Sequence, residues 1–102
     1  VIRVIYRWKV KEDDIANFQE VWSRTTNHIH ETVAGALGSF MLRSPEDPTE
    51  ILTVAKWDSV ENWKTFWVAD NPSEMKGMRE IAQRISVTVY DEVDDFTRSH
   101  AE

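Results

Sequence analysis

The chain has 102 residues, of which twelve are Lys or Arg and eighteen Asp or Glu, giving a net charge of −6; this is one domain's length, and the acidic balance disfavours nucleic acid as a partner. It has no Cys, which excludes disulfides, thiolate metal sites, iron–sulfur clusters and Cys nucleophiles. No apolar run approaches the roughly 20 residues of a membrane span and no signal-peptide pattern opens the chain, so a cytoplasmic setting without membrane contact is expected.

Val1 to Val10 alternates: Ile2, Val4, Tyr6, Trp8 and Val10 share one face, and Arg3, Ile5, Arg7 and Lys9 the other. That is the period of a strand with one apolar and one mixed face. Lys11 to Thr32 reads as a helix with Asp13 as its cap. Ile15, Phe18, Val21, Trp22, Thr25 and Ile29 form its inward stripe, and Glu20 and Arg24 pair outside. Gly35 is the stop signal. Leu37 to Arg43 is the second strand, Pro45-Glu46-Asp47-Pro48 a turn, and Thr49 to Trp57 the third strand, so the two strands form a hairpin.

The third strand runs into a helix from Ser59 to Val68 through Trp57-Asp58-Ser59. Asp58 or Ser59 supplies the cap oxygen, and Glu61 stands three residues after Asp58, as in a capping box. Val60, Trp63, Phe66 and Trp67 make this helix's apolar face. Asn71, Pro72 and Glu74 look like the start of a further helix, whose stripe of Met75, Met78, Ile81 and Ala82 ends near Gln83. Ile85, Val87 and Val89 then alternate as the fourth strand. Tyr90 to Phe96 is an acidic strand end, residues 1–96 form the domain, and residues 97–102 are a flexible tail.

The order strand, helix, strand, strand, helix, strand predicts an α+β, ferredoxin-like β-α-β-β-α-β fold: a four-stranded antiparallel sheet with helices on one face. The uncovered face would carry Ile5 and Leu52 and Val54 or their alternates beside Arg3, Arg7 and Lys9. Such a face is too apolar to leave wet, and packing it against a second copy makes a two-fold homodimer.

With that order, several segments resemble the antibiotic biosynthesis monooxygenase family of dimeric α/β barrels. They are the opening strand Ile2 to Trp8, Phe18-Gln19-Glu20-Val21-Trp22, the Gly35 to Gly38 connection, and above all Ala55-Lys56-Trp57-Asp58-Ser59-Val60-Glu61-Asn62-Trp63. The resemblance implies the fold, the dimer and a choice of chemistries. One is oxygenation of polycyclic phenols with molecular oxygen and no cofactor, in which the deprotonated substrate itself supplies the electron. Others are haem degradation and oxidation of quinols or aldehydes. The haem-degrading members use a ligating His after the start of the Trp-bearing helix and an Asn on the first strand. Residues 58–84 contain no His and residues 1–10 no Asn, which argues against haem.

Cofactor-free oxygenation needs a dry aromatic cavity, a donor for the substrate anion and a base. Trp22, Trp57, Trp63, Trp67 and Phe18 are candidate cavity walls; the competing assignment for each is core, since the helical ones lie on inward stripes. Asn27 and Asn62 are candidate donors, with surface or capping roles as the alternative. His28, three residues from Glu31, is a candidate base, or a surface pair. Tyr6 and Tyr90 are candidate proton carriers, and Tyr6 needs a hydroxyl partner if buried. Arg3 and Arg7 either bind an anionic group or make salt bridges. His28 and His30 are two apart on a helix and do not face the same way, so no metal site is expected from them. His100 lies in the tail. The expected function is a monooxygenase of an aromatic or quinol-like small molecule without metal or flavin. The alternative is a non-catalytic dimeric domain that binds a hydrophobic small molecule.

Overall fold

A computed structural model describes residues 1–70 and 75–97. Strands β1 (Ile2–Lys9), β2 (Ala36–Arg43), β3 (Glu50–Trp57) and β4 (Gln83–Asp91) make one sheet in the order β2-β3-β1-β4. Every neighbouring pair is antiparallel. Helices α1 (Ile15–Thr32), α2 (Val60–Asp70) and α3 (Lys76–Ile81) complete a ferredoxin-like α+β arrangement. None of the helices among the described residues is long and apolar enough to cross a membrane. The expected helix start at Asn71, Pro72 and Glu74 and most of the expected tail lie outside the described residues.

The alternation of β1 decides which side is covered. Ile2, Val4, Tyr6 and Trp8 are buried under the helices together with Phe18, Ile51, Trp57, Trp63, Phe66 and Met78. The opposite side carries Ile5, paired with Val54, and Phe40 and Leu42, paired with Val54 and Leu52. Phe40 is 46% and Leu42 49% exposed. Arg3 pairs with Glu92 at 2.6 Å and Arg7 with Glu50 at 3.4 Å, so both arginines make salt bridges within the chain. Glu20 and Arg24 lie 3.9 Å apart on the exposed side of α1.

Three local expectations are corrected. The helix after β1 does not start at Lys11, and Asp13 is not its cap. Glu12–Asp14 form a 3-10 turn closed by the Asp14 N–H on the Lys11 carbonyl at 2.8 Å, and α1 follows from Ile15 without a side-chain cap. Short acids compete with the helical backbone, and the tighter turn accommodates them. At the next junction, Ser59 alone is the cap: its Oγ accepts the Asn62 N–H at 3.1 Å. Asp58 does not form a capping box with Glu61; its Oδ1 accepts the Asn62 side-chain Nδ2–H at 2.9 Å instead. Finally, β4 starts at Gln83 and not near Ile85. A register shift between Arg7 and Trp8 leaves Ile85 out of the pairing, so Arg84 stands opposite Trp8 while Val87 and Val89 face Tyr6 and Val4. Ile85 is 48% exposed. A bulge resets the two-residue period, which sequence alternation alone does not reveal.

Gly35 ties two of these pieces together. It has a φ of +88°, and a Cβ there would lie 2.5 Å from Asp58 Oδ1 and 2.6 Å from Asn62 Nδ2. Its carbonyl accepts the Asp58 N–H at 2.9 Å. The α1–β2 connection is therefore clasped to the β3–α2 junction, and only glycine fits both the backbone angle and the space. In the β2–β3 hairpin, Ser44 Oγ accepts the N–H groups of Glu46 and Asp47, and Asp47 Oδ1 accepts both the N–H and the hydroxyl of Thr49.

Candidate functional site

Where α1 and α2 stand off β2 and β3, a hollow opens between helices and sheet. Its volume out to the open mouth is about 460 Å³, of which about 50 Å³ is room for water-sized spheres. Trp22, Ile29, Ala36, Trp57, Phe66, Met75 and Met78 supply its apolar walls. Tyr6, Thr25, Thr26, His30, Ser39 and Thr53 are its polar lining residues; Lys56 also borders it, although pairing with Arg3 puts its side chain on the open face of the sheet. Among the described residues no Asp or Glu lines the hollow.

Each wall has a local origin. Trp22, Thr25, Thr26 and Ile29 recur at spacings of three and four on the inward stripe of α1, and His30 follows at the exposed rim. Thr53, Ala55 and Trp57 are alternate residues on the covered face of β3. Gly38, with a φ of +113° and open space where a Cβ would be, sits at the shift in β2–β3 pairing between Ala36 and Gly38. The shift resets the pairing so that Ser39 stands opposite Ala55 on β3.

Beside the hollow runs a continuous aromatic cluster. Trp8 packs edge-on to Phe18 with centroids 5.2 Å apart, Tyr6 lies 6.4 Å from Trp8 and 5.8 Å from Trp67, and Trp67 stacks on Trp63 at 5.5 Å. Trp57 and Phe66 form a separate pair at 5.3 Å. Two indoles of the cluster donate to hydroxyls: Trp63 Nε1–H to Tyr6 Oη at 3.2 Å, and Trp8 Nε1–H to Thr53 Oγ1 at 3.1 Å. Burial pushes the Tyr6 phenol up to about 12; the Trp63 hydrogen bond and the nearby Arg84 act the other way but do not offset it. Tyr6 is therefore a neutral donor at ordinary pH. The Arg84 guanidinium lies 4.8 Å over the Trp67 ring. Its pKa is lowered by burial first and by Arg79 second.

The candidates taken from the sequence separate on this geometry. Tyr6, Trp22 and Trp57 line the hollow. Trp63, Trp67 and Phe18 belong to the aromatic cluster, with Trp63 touching the site through Tyr6. Asn27 and His28 are exposed on α1 and do not line it. Asn62 is engaged by Asp58 and Ser59 at the helix start. Tyr90 is 55% exposed on β4. Residues not placed in the site from sequence, namely His30, Thr53, Ser39, Lys56 and Phe66, join the lining. For His30 the signal was present: it follows Ile29, the last residue of the stripe, and so lies at the stripe's edge. For Thr53 no sequence signal existed, because its partner Trp8 is 45 residues away.

Among the described residues no group of three or more His, Cys, Asp or Glu could hold a metal ion. No curated protein matches the sequence. The fold is similar to that of SnoaB, a cofactor-independent oxygenase from Streptomyces nogalater, at 12% identity over 95% of this chain and 97% of that one, with a TM-score of 0.73. A Bordetella bronchiseptica protein named after the antibiotic biosynthesis monooxygenases is similar at 22% identity over 90% of this chain and 96% of its own, with a TM-score of 0.76. A conserved protein from Methanosarcina mazei is similar at 15% identity over 87% and 89% of the two chains, with a TM-score of 0.70. These likenesses concern the fold. The sequence itself matches the family model described as Antibiotic biosynthesis monooxygenase over residues 1–69. With two thirds of its length in that match, the chain belongs to the antibiotic biosynthesis monooxygenase family.

Proposed function

We propose that this chain is a cofactor-independent monooxygenase of an aromatic small molecule, a phenol or quinol in class, and that it works as a homodimer. The observation that carries the reading is the hollow walled by Trp22, Trp57 and Phe66, with hydroxyls and one imidazole as its polar side chains and no carboxylate among the described residues. Aromatic walls hold a planar ring by face and edge contacts. His30 at the rim takes the substrate's hydroxyl proton, the role considered for His28, and imidazole is the side chain most often used for this.

The chemistry follows from the substrate. The phenolate passes one electron to molecular oxygen, and the resulting radical pair combines to place a peroxide on a ring carbon that bears a hydrogen. Loss of that hydrogen as a proton, with cleavage of the O–O bond, leaves a carbonyl on the carbon. The other oxygen atom departs as water, and the product is a quinone. Both electrons come from the substrate, so the balance needs no other reductant. What the protein supplies is water exclusion, donors for the oxygen anions and a place for the proton.

Room is the constraint on the ligand. A cavity that takes benzene measures roughly 150 Å³, against about 50 Å³ here. A ring therefore enters from the mouth and needs walls that give way. Met75 and Met78 are unbranched and polarizable, the side chains best able to repack around an incoming ring.

A second copy covers the open sheet face. Ile5, Phe40, Leu42, Leu52 and Val54 are neighbours there by register, and the arginines at its edge are neutralised within the chain. An apolar stripe of this kind, flanked by basic residues of β1 and β3, can pack against its own copy across a two-fold axis. Sedimentation should give twice the chain mass, and Phe40→Glu should return the monomer; a wild-type monomer would sink this part.

The enzymatic reading is tested with an oxygen electrode and tryptophan fluorescence against phenols, quinols and haemin. Ligand quenching with oxygen uptake, lost in His30→Gln and kept in His28→Ala, is expected. Quenching without uptake points to a binding domain, and a Soret shift with haemin would overturn the sequence argument against haem.

A further inference from the structure

Tyr6 and Thr53 stand directly opposite each other on β1 and β3, and both line the hollow. They are 4% and 2% exposed. A hydroxyl offers one hydrogen and two acceptor lone pairs. Here an acceptor position of each is taken by an indole N–H, from Trp63 on Tyr6 and from Trp8 on Thr53. Indole can only donate, so neither bond uses the hydroxyl's own hydrogen. Neither hydrogen has an acceptor among the described residues. Two buried O–H groups thus share one cavity, each already serving as an acceptor and each with a hydrogen still to place.

Leaving a buried donor unmet costs on the order of 1–3 kcal/mol. The hollow has room for a water beside these hydroxyls. A ligand that displaces the water must bring acceptors. Its surroundings agree, since His30 contributes to the lining and no acid among the described residues does. Donor chains of the form N–H to O–H to acceptor also strengthen along their length. Tyr6, held in its neutral form, cannot act as the base; it can only give its hydrogen to a hydrogen bond.

We infer that the hydroxyl hydrogens of Tyr6 and Thr53, each backed by an indole N–H, are the elements by which the hollow recognises a carbonyl or phenolate oxygen on a planar ring. The site then favours a ketone, quinone or ionised phenol over a hydrocarbon of the same shape. The inference rests on the proposal that this hollow takes an aromatic ligand, and not on whether that ligand is oxidised.

The test uses 1-tetralone and tetralin, which differ by one carbonyl oxygen, titrated into the full chain with tryptophan fluorescence as the readout. The ketone should bind roughly tenfold or more tightly than the hydrocarbon, the size of one good hydrogen bond. Tyr6→Phe and Thr53→Val should each remove most of that preference while leaving the tetralin affinity in place, which also shows that each variant is folded. Thr53→Ser, which keeps the hydroxyl, should restore it. Equal affinities in the wild type, or a preference that survives both substitutions, would overturn the inference and leave the aromatic cavity standing. Binding of neither compound would overturn both together.

Discussion

The chain's five tryptophans fall into two regions that look alike in sequence and differ in kind. Trp8, Trp63 and Trp67 interlock with Tyr6 and Phe18 in one packed aromatic cluster, and two of their N–H groups are spent on buried hydroxyls. Trp22 and Trp57 face the hollow instead. All of the helical ones lie on inward stripes. What separates them is where the helices stand off the sheet: over β1 the side chains close on one another, and over β2 and β3 they do not. The first group belongs to the packed interior; in the second, Trp57 is buried yet borders the hollow, and Trp22 is the more exposed of its two indole walls.

The sharpest way to break this comparison is to truncate one indole from each region. Trp8 is fully buried, so Trp8→Ala should cost about 3–5 kcal/mol in urea unfolding. Trp22 is only partly buried, and Trp22→Ala should cost about 1 kcal/mol, near the centre of point-mutant effects, while weakening both the affinity for aromatic ligands and the quenching they cause. Equal losses of stability would erase the distinction.

A smaller effect sharpens the link between cluster and site. Tyr6 titrates near 10 when unfolded and is pushed up to about 12 when folded. Below pH 10 its contribution is complete. Between pH 10 and pH 12 the unfolded chain releases a proton that the folded chain keeps, so stability falls as pH rises, by about 1.4 kcal/mol per pH unit. Burial is the cause, and the facing groups Trp63 and Arg84 only reduce it. In Tyr6→Phe this part of the alkaline slope should vanish from denaturant midpoints measured across that range. An unchanged slope would mean that the phenol is not held in a dry environment.

The smallest effect concerns the helix that carries Trp63 and Trp67. Ser59 caps it, and Ser59→Ala should cost about 1 kcal/mol. Ligand quenching through Trp22 and Trp57 should be unaffected, because neither indole lies on that helix. A loss of ligand response would show that the two regions are coupled through the clasp of Gly35, Asp58 and Asn62.

Much of the fold was legible because local periodicity reports which side of an element is apolar. The alternation of Ile2, Val4, Tyr6 and Trp8, the stripe of α1 and the turn around Pro45 to Pro48 all lead to the observed strand order. The errors came where a non-local contact overrode a local pattern. The pairing shift at Arg7 and Trp8 moved the start of β4, and the side-chain bond from Asn62 drew Asp58 away from the cap. For the site, residue type pointed to aromatic walls and to His28 on α1; the lining contains His30, and His28 lies outside it.

The family, the order of elements and the covered faces of β1 and α1 can be read from the residues alone, since these depend on spacings of two, three or four residues and on the Trp-Asp-Ser junction. Only the tertiary structure decided which tryptophans became core and which became wall, and which hydroxyls met an indole. Those outcomes depend on contacts between residues 45 and 57 positions apart. They follow from strand register, a bulge at Gly38 and the distance between helix and sheet, none of which any local spacing encodes.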